Sequence, residues 1–393
     1  MVGYAAWWIV VLWHVLRSRR AVPRLRDAFA VRPTAADESP LVSVVIPAHN
    51  EGERIEPAVR GVLSQEGVRL QLVVVLDRCT DRTRSHVEAA AAGDPRMTIV
   101  VVDHCPADWA GKCHAAAAGA RAATGTLLLF TDADVRFEPS AIARAIALAS
   151  SRKADLASLL PALEVRHGFE HRWQAVASFM LMRIFPAERV NRDCNPRAFA
   201  NGQFLLFTRE AYQSIGGHEA VKSDLLEDIA FARLIKRAGH RVQLFAADQF
   251  VRTAMYDSAE EFRRGWQRIF IESAGRRPKF LDRLAWECLG SGAIAPAAAV
   301  AAGLLAIPAW PMLDAGGKAA AAVALGAGAI GAVAQFAGAT AFLVRARGQR
   351  SSAFAWPIGA IAIAGILRSA ASNLRARRPI RWGGREYVLE PRD

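Results

Sequence analysis

The sequence predicts an α/β fold: a Rossmann-like, mostly parallel sheet with helices on both faces, plus an N-terminal membrane anchor and C-terminal transmembrane helices. Between about residues 41 and 250, near-continuous Val, Leu and Ile runs alternate with helix-like segments. A parallel sheet that is covered on both faces produces this pattern. After Arg283, long stretches rich in Ala and Gly carry almost no charge, as is typical of membrane helices.

Composition limits the classes of protein that fit. The 393 residues have room for one catalytic domain of roughly 200 to 280 residues and a further region. A net charge of +13 and a hydrophobic content of 52% suit either nucleic acid or membrane-flanking segments. We find no zinc-finger or RNA-recognition motif, so we favour a membrane and expect no nucleic-acid partner.

The cysteines argue against a disulfide framework. There are five, an odd number without CxxC spacing, which suits a reducing compartment. His104-Cys105 and Cys113-His114 could suggest zinc, but no second CxxC or HxxxH accompanies them.

Residues 1–20 are predicted to form an N-terminal anchor. "VGYAAWWIVVLWHVL" is apolar except for His14, and "RSRR" follows at Arg17 to Arg20. No small-residue cleavage site is present, and the charges follow the apolar run, which is the reverse of a secretory signal. We therefore expect a multi-pass protein of the inner (plasma) membrane whose catalytic domain is cytoplasmic.

The region 284–372 is predicted to be transmembrane and 373–393 to be a basic tail. Three runs are long enough to span a bilayer: 285–313, 319–344 and 353–371. A full crossing by the third run would place the arginines from Arg375 to Arg385 outside, against the positive-inside tendency. We favour a re-entrant path for this run, and a full crossing remains the alternative.

The fourth strand-like run ends in two carboxylates. "GTLLLFT" leads directly into Asp132-Ala133-Asp134. An Asp-x-Asp pair alone fits an ordinary turn. At the carboxyl end of a buried parallel strand, where open α/β sheets place ligands, it could instead hold a divalent cation against a phosphate.

Five pieces follow one another in a fixed order along the chain. They are "VVIPAHNEGERI" (Val44 to Ile55), "VVVLDRCTDRT" (Val73 to Thr83), "WAGKCHAAAAGA" (Trp109 to Ala120), Asp132-Ala133-Asp134, and the stretch from Asn201 to Val242 with "NGQFLLF" and "GGHE…LLED". As an ordered set they resemble the family 2 glycosyltransferases, which have the GT-A fold, over roughly residues 41–275. "WAGK", "NGQFLLF" and "GGHE…LLED" look most like membrane-bound transferases of hopanoid and carotenoid biosynthesis.

The resemblance implies roles for individual residues. It assigns donor contacts to Pro47, Asn50, Glu51, Asp77, Lys112 and Asp132, metal binding to Asp134 and Asp132, and the catalytic base to Asp228, with Glu227 beside it. Trp266 and Arg268 are expected to close over the donor. The implied cofactor is a divalent cation, Mg²⁺ or Mn²⁺, and the implied donor is a nucleotide-sugar, with a UDP-sugar favoured.

The chemistry needs these residue types. A cation held by Asp134, with or without Asp132, would neutralise the leaving diphosphate. Lys112 would add a point charge, and Asp77 could accept a hydrogen bond from a uracil-type base. One of the two acids at 227 and 228, at the start of a helix, could take a proton from the acceptor. The simpler alternative is that they are first-turn acids that favour the helix dipole.

Two departures from the family pattern limit these expectations. Many relatives have paired aspartates where this chain has Leu76-Asp77, which weakens the preference for one base. Processive relatives carry QxxRW, but this chain reads "EEFRRGWQRIF", which favours transfer of a single sugar.

The acceptor is a hypothesis. "RWQAVASFMLMRIFP", from Arg172 to Pro186, could lie at the membrane surface and lead a lipid hydroxyl of isoprenoid, hopanoid or carotenoid type to the site, or be a core helix. We expect an inverting glycosyltransferase with a lipid acceptor. The alternative is a non-catalytic membrane subunit that binds a nucleotide-sugar or a lipid, which the carboxylates at 132, 134 and 228 argue against. A nucleotidyltransferase is disfavoured because no glycine-rich phosphate loop follows the first strand.

Overall fold

The computed structural model describes residues 1–18, 21–28, 40–346, 348–382 and 385–392. Arg19 and Arg20, at the basic end of the predicted anchor, lie outside the described residues. The strands are β1 (Leu41–Ala48), β2 (Arg69–Asp77), β3 (Met97–Val102), β4 (Leu127–Phe130), β5 (Val135–Phe137), β6 (Leu156–Leu160), β7 (Ala162–Leu163), β8 (Leu205–Thr208), β9 (Val242–Ala246), β10 (Val251–Thr253), β11 (Ile380–Trp382) and β12 (Arg385–Tyr387). The α-helices are α1 (Val2–Arg17), α2 (Gly52–Leu63), α3 (Thr83–Ala91), α4 (Gly111–Ala122), α5 (Ala141–Ser151), α6 (Gly168–Ile184), α7 (Ala187–Val190), α8 (Arg209–Ser214), α9 (Glu227–Arg237), α10 (Ala259–Ser273), α11 (Pro278–Leu289), α12 (Ala295–Ala309), α13 (Ala315–Ala346) and α14 (Trp356–Arg375).

The central sheet confirms the predicted mostly parallel α/β class. Within the described residues it has seven strands in the order β3-β2-β1-β4-β8-β6-β9. Strands β3, β2, β1 and β4 are parallel, β8 runs antiparallel to β4 and β6, and β9 is parallel to β6. Because β2, β1 and β4 are parallel neighbours, their carboxyl ends meet at one edge of the sheet.

The apolar runs are explained by burial on both faces. Along β1, Val45 faces one hydrophobic core, which includes the alanines of α4, whereas Val44 and Ile46 face a second core with α2 and α5. Gly119 allows α4 to approach closely, because a Cβ there would lie 2.3 Å from Val45 Cγ1. Alternate side chains of one strand therefore enter different cores, and both must be apolar.

Among the residues that the structure describes, three helical segments are long and apolar enough to cross a membrane: Pro278–Met312, Ala315–Ala346 and Trp356–Arg375. The first contains a π-helical segment, Gly290–Ile294, between α11 and α12. A π-helical turn interrupts the regular hydrogen-bond ladder. Here Trp8 Nε1 donates to Ser291 O (3.0 Å) and Gln335 Nε2 donates to Gly292 O (3.0 Å). These bonds join α1 and α13 to the π-helical segment.

Helix α14 forms the third apolar run, for which re-entry and a full crossing both stay predictions. It is one continuous helix of 20 residues with Pro357 in its first turn, where proline fits without a kink. It packs on α6 so closely that a Cβ at Gly359 would lie 2.1 Å from Arg172 O. Residues at its end, Asn373 and Arg378, line the same cavity as Ala346, where α13 ends. The start of the basic tail therefore lies beside the α/β domain.

For helix α6, the sequence allows either a helix at the membrane surface or a core helix. Val176, Ala177 and Met180 are buried, and Phe179 stacks with Trp8 of α1 at a centroid distance of 6.0 Å. Phe179 also contacts Trp356 of α14, at 5.4 Å. The structure therefore places α6 between the α/β domain and the apolar helices.

Candidate active site

The predicted site residues lie around one cavity of about 1030 Å³ at the carboxyl edge of the sheet. Strands β1, β2 and β4 deliver three groups of them, and the N-termini of α4 and α9 deliver two more. Ten of the eleven predicted residues line the cavity: Pro47, Glu51, Asp77, Lys112, Asp132, Asp134, Glu227, Asp228, Trp266 and Arg268. Asn50 does not belong to the lining.

Asn50 contacts the loop after β2, and its predicted contact with the donor stays a prediction. Its backbone is left-handed (φ 56°), and its side-chain oxygen accepts the N–H of Thr80 at 2.8 Å. It therefore holds the loop after β2. Nor does Asn50 cap α2: the N–H of Gly52 is bound instead by Asp81 Oδ2 (3.1 Å) and Thr83 Oγ1 (3.0 Å) of that loop. These partners are distant in sequence, so the local pattern could not indicate them.

The two aspartates after β4 occupy different environments. Both are partly exposed, and Asp132 forms an ion pair with Lys112. In Asp134, the Oδ1 atom is buried and has no hydrogen-bond partner among the described residues. Burial, together with the charges of Asp132 and Glu51, raises the pKa of Asp134 to about 7. A partly buried carboxylate beside two other acids is a site that would be stabilised by a cation.

These residues fit a divalent cation as part of a larger coordination shell. The part of the chain that the structure describes contains no group of three or more His, Cys, Asp or Glu side chains that could hold a metal by themselves. Magnesium and similar ions are commonly held by one or two carboxylates together with substrate phosphates and water. Asp134 and Asp132 provide the two carboxylates.

Lys112 lies at the centre of the charged cluster. Its Nζ is 2.7 Å from Asp132 Oδ1 and 2.7 Å from Glu227 Oε1. Burial alone would lower the pKa of Lys112, but the two carboxylates outweigh burial and raise the pKa above its ordinary value. In the same way burial would raise the pKa of Glu227, but Lys112 lowers it. This ion pair therefore stays charged at neutral pH.

Asp228 differs from Glu227 in both contacts and pKa. Its Oδ2 accepts the N–H of Gly202 (2.8 Å), and its Oδ1 accepts the N–H of Ile229 (2.7 Å). Burial and the neighbouring charge of Glu227 raise the pKa of Asp228 to about 7. A carboxyl group with this pKa exchanges protons readily near neutral pH, as a general base must.

Gly202 of "NGQF" lies against this cluster. A Cβ at this position would be 3.2 Å from Lys112 Nζ, 3.3 Å from Asp228 Oδ2 and 3.5 Å from Glu227 Oε1. A side chain here would crowd all three groups. The glycine in the motif is therefore explained by close approach of the backbone to the charged cluster.

Asp77, which also lines the cavity, is paired with Arg78, a residue that was not predicted to belong to the site. Arg78 Nε and Nη2 donate to the two oxygens of Asp77 at 2.8 and 2.7 Å. His49 Nδ1 lies 2.6 Å from Asp77 O. Each carboxylate oxygen still has a second lone pair, so Asp77 can accept a further hydrogen bond. The direct adjacency of Arg78 was the available sequence signal.

The wall opposite the strands comes from α10 and the C-terminal tail. Trp266 is buried, and its Nε1 has no partner among the described residues. Arg268 donates to Leu225 O (3.0 Å), and its guanidinium lies 4.4 Å from the ring centroid of Trp382. The contribution of Trp382 was not predicted, because the tail carries no apolar periodicity.

Comparison with known proteins gives a family match and several relatives. A family model described as "Glycosyltransferase like family 2" matches residues 39–269. The 4,4'-diaponeurosporenoate glycosyltransferase of Staphylococcus haemolyticus is 27% identical over 246 residues, 61% of this chain and 64% of that protein. The succinoglycan biosynthesis protein ExoO of Rhizobium meliloti is 34% identical over 127 residues, 32% of this chain and 35% of that protein. The chain thus spans less than two thirds of the length of these relatives.

Among solved structures, this chain is similar to the mannosyltransferase PcManGT from Pyrobaculum calidifontis in complex with GDP-Man and Mn²⁺. The TM-score is 0.49 and the identity 21%, with 84% of this chain and 96% of that chain covered.

Proposed function

Because the chain belongs to glycosyltransferase family 2, we propose that it transfers one sugar from a nucleotide-sugar, most simply a UDP-sugar, to a hydroxyl group of a lipid. The observation that carries this proposal is the arrangement of two pairs of acids around the ammonium group of Lys112. Asp132 and Asp134 lie on one side of Lys112, and Glu227 and Asp228 lie on the other.

Asp228 is the proposed general base. It takes the proton of the acceptor hydroxyl, whose oxygen attacks the anomeric carbon while the bond to the diphosphate breaks on the opposite side. The product is therefore inverted at this carbon. Glu227 is a poorer base because its ion pair with Lys112 lowers its pKa, whereas the pKa of Asp228 is about 7.

Charge neutralisation explains the other half of the site. A divalent cation held by Asp134 and Asp132 would act as a Lewis acid on the leaving diphosphate. Lys112 adds a fixed positive charge beside Asp132, 2.7 Å from it, so an entering diphosphate meets a cation that is already in place.

The cavity extends from the charged cluster to the apolar helices, which supports a lipid acceptor. Its lining includes Leu181 and Met182 of α6 and Phe342 and Ala346 near the end of α13. An acceptor with an apolar body and a hydroxyl end could therefore lie partly beside these helices. The Staphylococcus haemolyticus relative, named for 4,4'-diaponeurosporenoate, also supports a carotenoid-type or other isoprenoid acceptor.

We further propose a membrane topology that uses these helices. The segments Pro278–Met312 and Ala315–Ala346 cross the inner membrane as a pair, α1 (within 1–20) lies beside them, and the catalytic domain (41–275) is cytoplasmic. The basic tail (373–393) lies on the cytoplasmic side with the catalytic domain.

The test uses purified full-length protein in detergent or lipid nanodiscs. Labelled UDP-glucose, UDP-N-acetylglucosamine and GDP-mannose are each incubated with a bacterial lipid extract and Mn²⁺, and lipid products are identified by mass spectrometry. We expect one donor to label a lipid, and NMR of the product to show inversion. Nucleotide binding without transfer from any donor would instead support the non-catalytic subunit.

A further inference from the structure

The C-terminal hairpin, formed by β11 and β12, contacts the loop that leads into α4. Arg385 Nη2 donates to Cys105 O (2.7 Å), and Arg385 Nη1 donates to Trp109 O (2.9 Å) and Pro106 O (3.2 Å). One guanidinium thus binds three carbonyl oxygens within five residues of chain. Its planar arrangement of donors suits such a set, and an ammonium group does not reproduce it.

The hairpin also reaches the first residue of α4. The helix begins without a side-chain cap from Ala110, and the backbone of Gly111 lies close enough to the Tyr387 hydroxyl to lower its pKa, against the larger effect of burial, which raises it. The N–H groups of a first helical turn have no partner within the helix, so the hairpin lies beside backbone groups that can interact with a neighbouring hydroxyl. Lys112, the central cation of the site, is the next residue.

A third contact connects the hairpin to the opposite wall. Trp382 lies under the guanidinium of Arg268, which itself donates to Leu225 O. Trp382 and Ile380 line the cavity. The hairpin therefore contacts both the loop before α4 and, through Arg268, helix α10.

We propose that Arg385 is a positioning residue for donor binding. It holds the loop 105–109 and, with Tyr387, the start of α4, so that Lys112 Nζ stays between Asp132 and Glu227. The diphosphate of the donor then meets Lys112 at a fixed position. This inference rests on the proposed function, because it takes the anion bound beside Lys112 to be the donor diphosphate.

The experiment compares Arg385→Ala, Arg385→Lys and the control Arg377→Ala in the full chain. Arg377 is an exposed arginine of the same tail, paired only with Glu390 among the ion pairs of the described residues, at 3.0 Å, and outside the cavity lining. Binding of UDP and of GDP with Mn²⁺ is measured by calorimetry, and amide hydrogen exchange is measured over residues 104–112.

We expect Arg385→Ala to weaken binding of the preferred nucleotide by about tenfold or more, with faster exchange in 104–112, because three charge-assisted bonds are lost. Arg385→Lys should lie between Arg385→Ala and wild type, and Arg377→Ala should stay within about twofold of wild type. In transfer assays, KM for the donor should rise while kcat at saturating donor changes by less than about threefold.

Equal nucleotide affinity in wild type and Arg385→Ala would overturn the positioning role, even if exchange became faster. If wild type bound neither nucleotide, the proposed function would fail first and the Arg385 proposal with it. If Arg385→Ala did not fold, Arg385→Lys, which keeps the charge but loses the planar set of donors, decides. A loss of affinity of about two- to fivefold supports the proposal, and unchanged affinity overturns it.

Discussion

Replacing Asp228 by Asn tests whether this carboxylate takes the acceptor's proton. Its two oxygens accept N–H groups of Gly202 and Ile229 at 2.8 and 2.7 Å. Asn has one acceptor oxygen, so one of these N–H groups would face the new amide NH₂. We expect a loss of about 1–3 kcal/mol in the free energy of unfolding, together with a fall in turnover of about 10²-fold to 10⁴-fold.

The pH profile separates the chemical effect from the structural one. Because the pKa of Asp228 is about 7, kcat/KM of the wild type should rise with pH up to about 7 and then level off. This rise should vanish in Asp228→Asn. In Glu227→Gln, loss of the neighbouring negative charge should lower the pKa of Asp228 and move the rise to lower pH.

The assay must measure donor binding and single-turnover transfer on the same preparation, because loss of both together would reflect misfolding. Asp193→Asn is the matched control, since Asp193 is exposed and paired with Arg241 at 3.1 Å on the surface. The reasoning is refuted if Asp228→Asn turns over within about threefold of wild type, or if the pH dependence persists in it and vanishes in Glu227→Gln.

Three further predictions concern the metal, the helix packing and the topology. Because the pKa of Asp134 is raised to about 7, the folded protein keeps a proton on this carboxylate that the unfolded chain loses above about pH 4. Without metal, the free energy of unfolding should therefore fall as the pH rises towards about 7. Mn²⁺ should therefore raise the Tm more at pH 7.5 than at about pH 5.5, and Asp134→Ala should abolish this gain and transfer; full transfer in excess chelator would contradict the metal role. Gly359→Ala should lower the Tm by the equivalent of about 1–3 kcal/mol because its Cβ would lie 2.1 Å from Arg172 O, whereas Gly365→Ala, with nothing within 4 Å, should not lower the Tm. In intact cells, a cysteine at Arg152 should resist labelling from outside, and labelling would exclude a cytoplasmic catalytic domain.

The sequence predicted the centre of the site because the strands that position it are buried on both faces. "LLLF" could be recognised as a strand, so the place of Asp132 and Asp134 at its end followed. Lys112 and Glu227 likewise begin helices or lie next to their first residue, as expected. Strands β8 and β9 were not among the predicted strands.

The remaining parts depend on partners that are remote in sequence. Asn50 binds Thr80, 30 residues away, and Arg385 binds carbonyl oxygens 276 to 280 residues away. Backbone carbonyl oxygens occur in every residue, so no residue type in the loop 105–109 indicates that an arginine will bind there. From its sequence alone, the tail would therefore be interpreted as a solvated basic segment.

The π-helical segment Gly290–Ile294 constrains the order in which the protein can be built. Trp8 precedes the α/β domain in the chain, yet the carbonyl oxygen that its indole binds belongs to Ser291, 283 residues later. The α/β domain lies between them in the chain and can fold as a unit while synthesis continues. The contacts of α1 with the π-helical segment and with α13 therefore form only after the α/β domain and α13 have been synthesised. Packing of these apolar helices is consequently a late event, completed only when α13 and its Gln335 are in place.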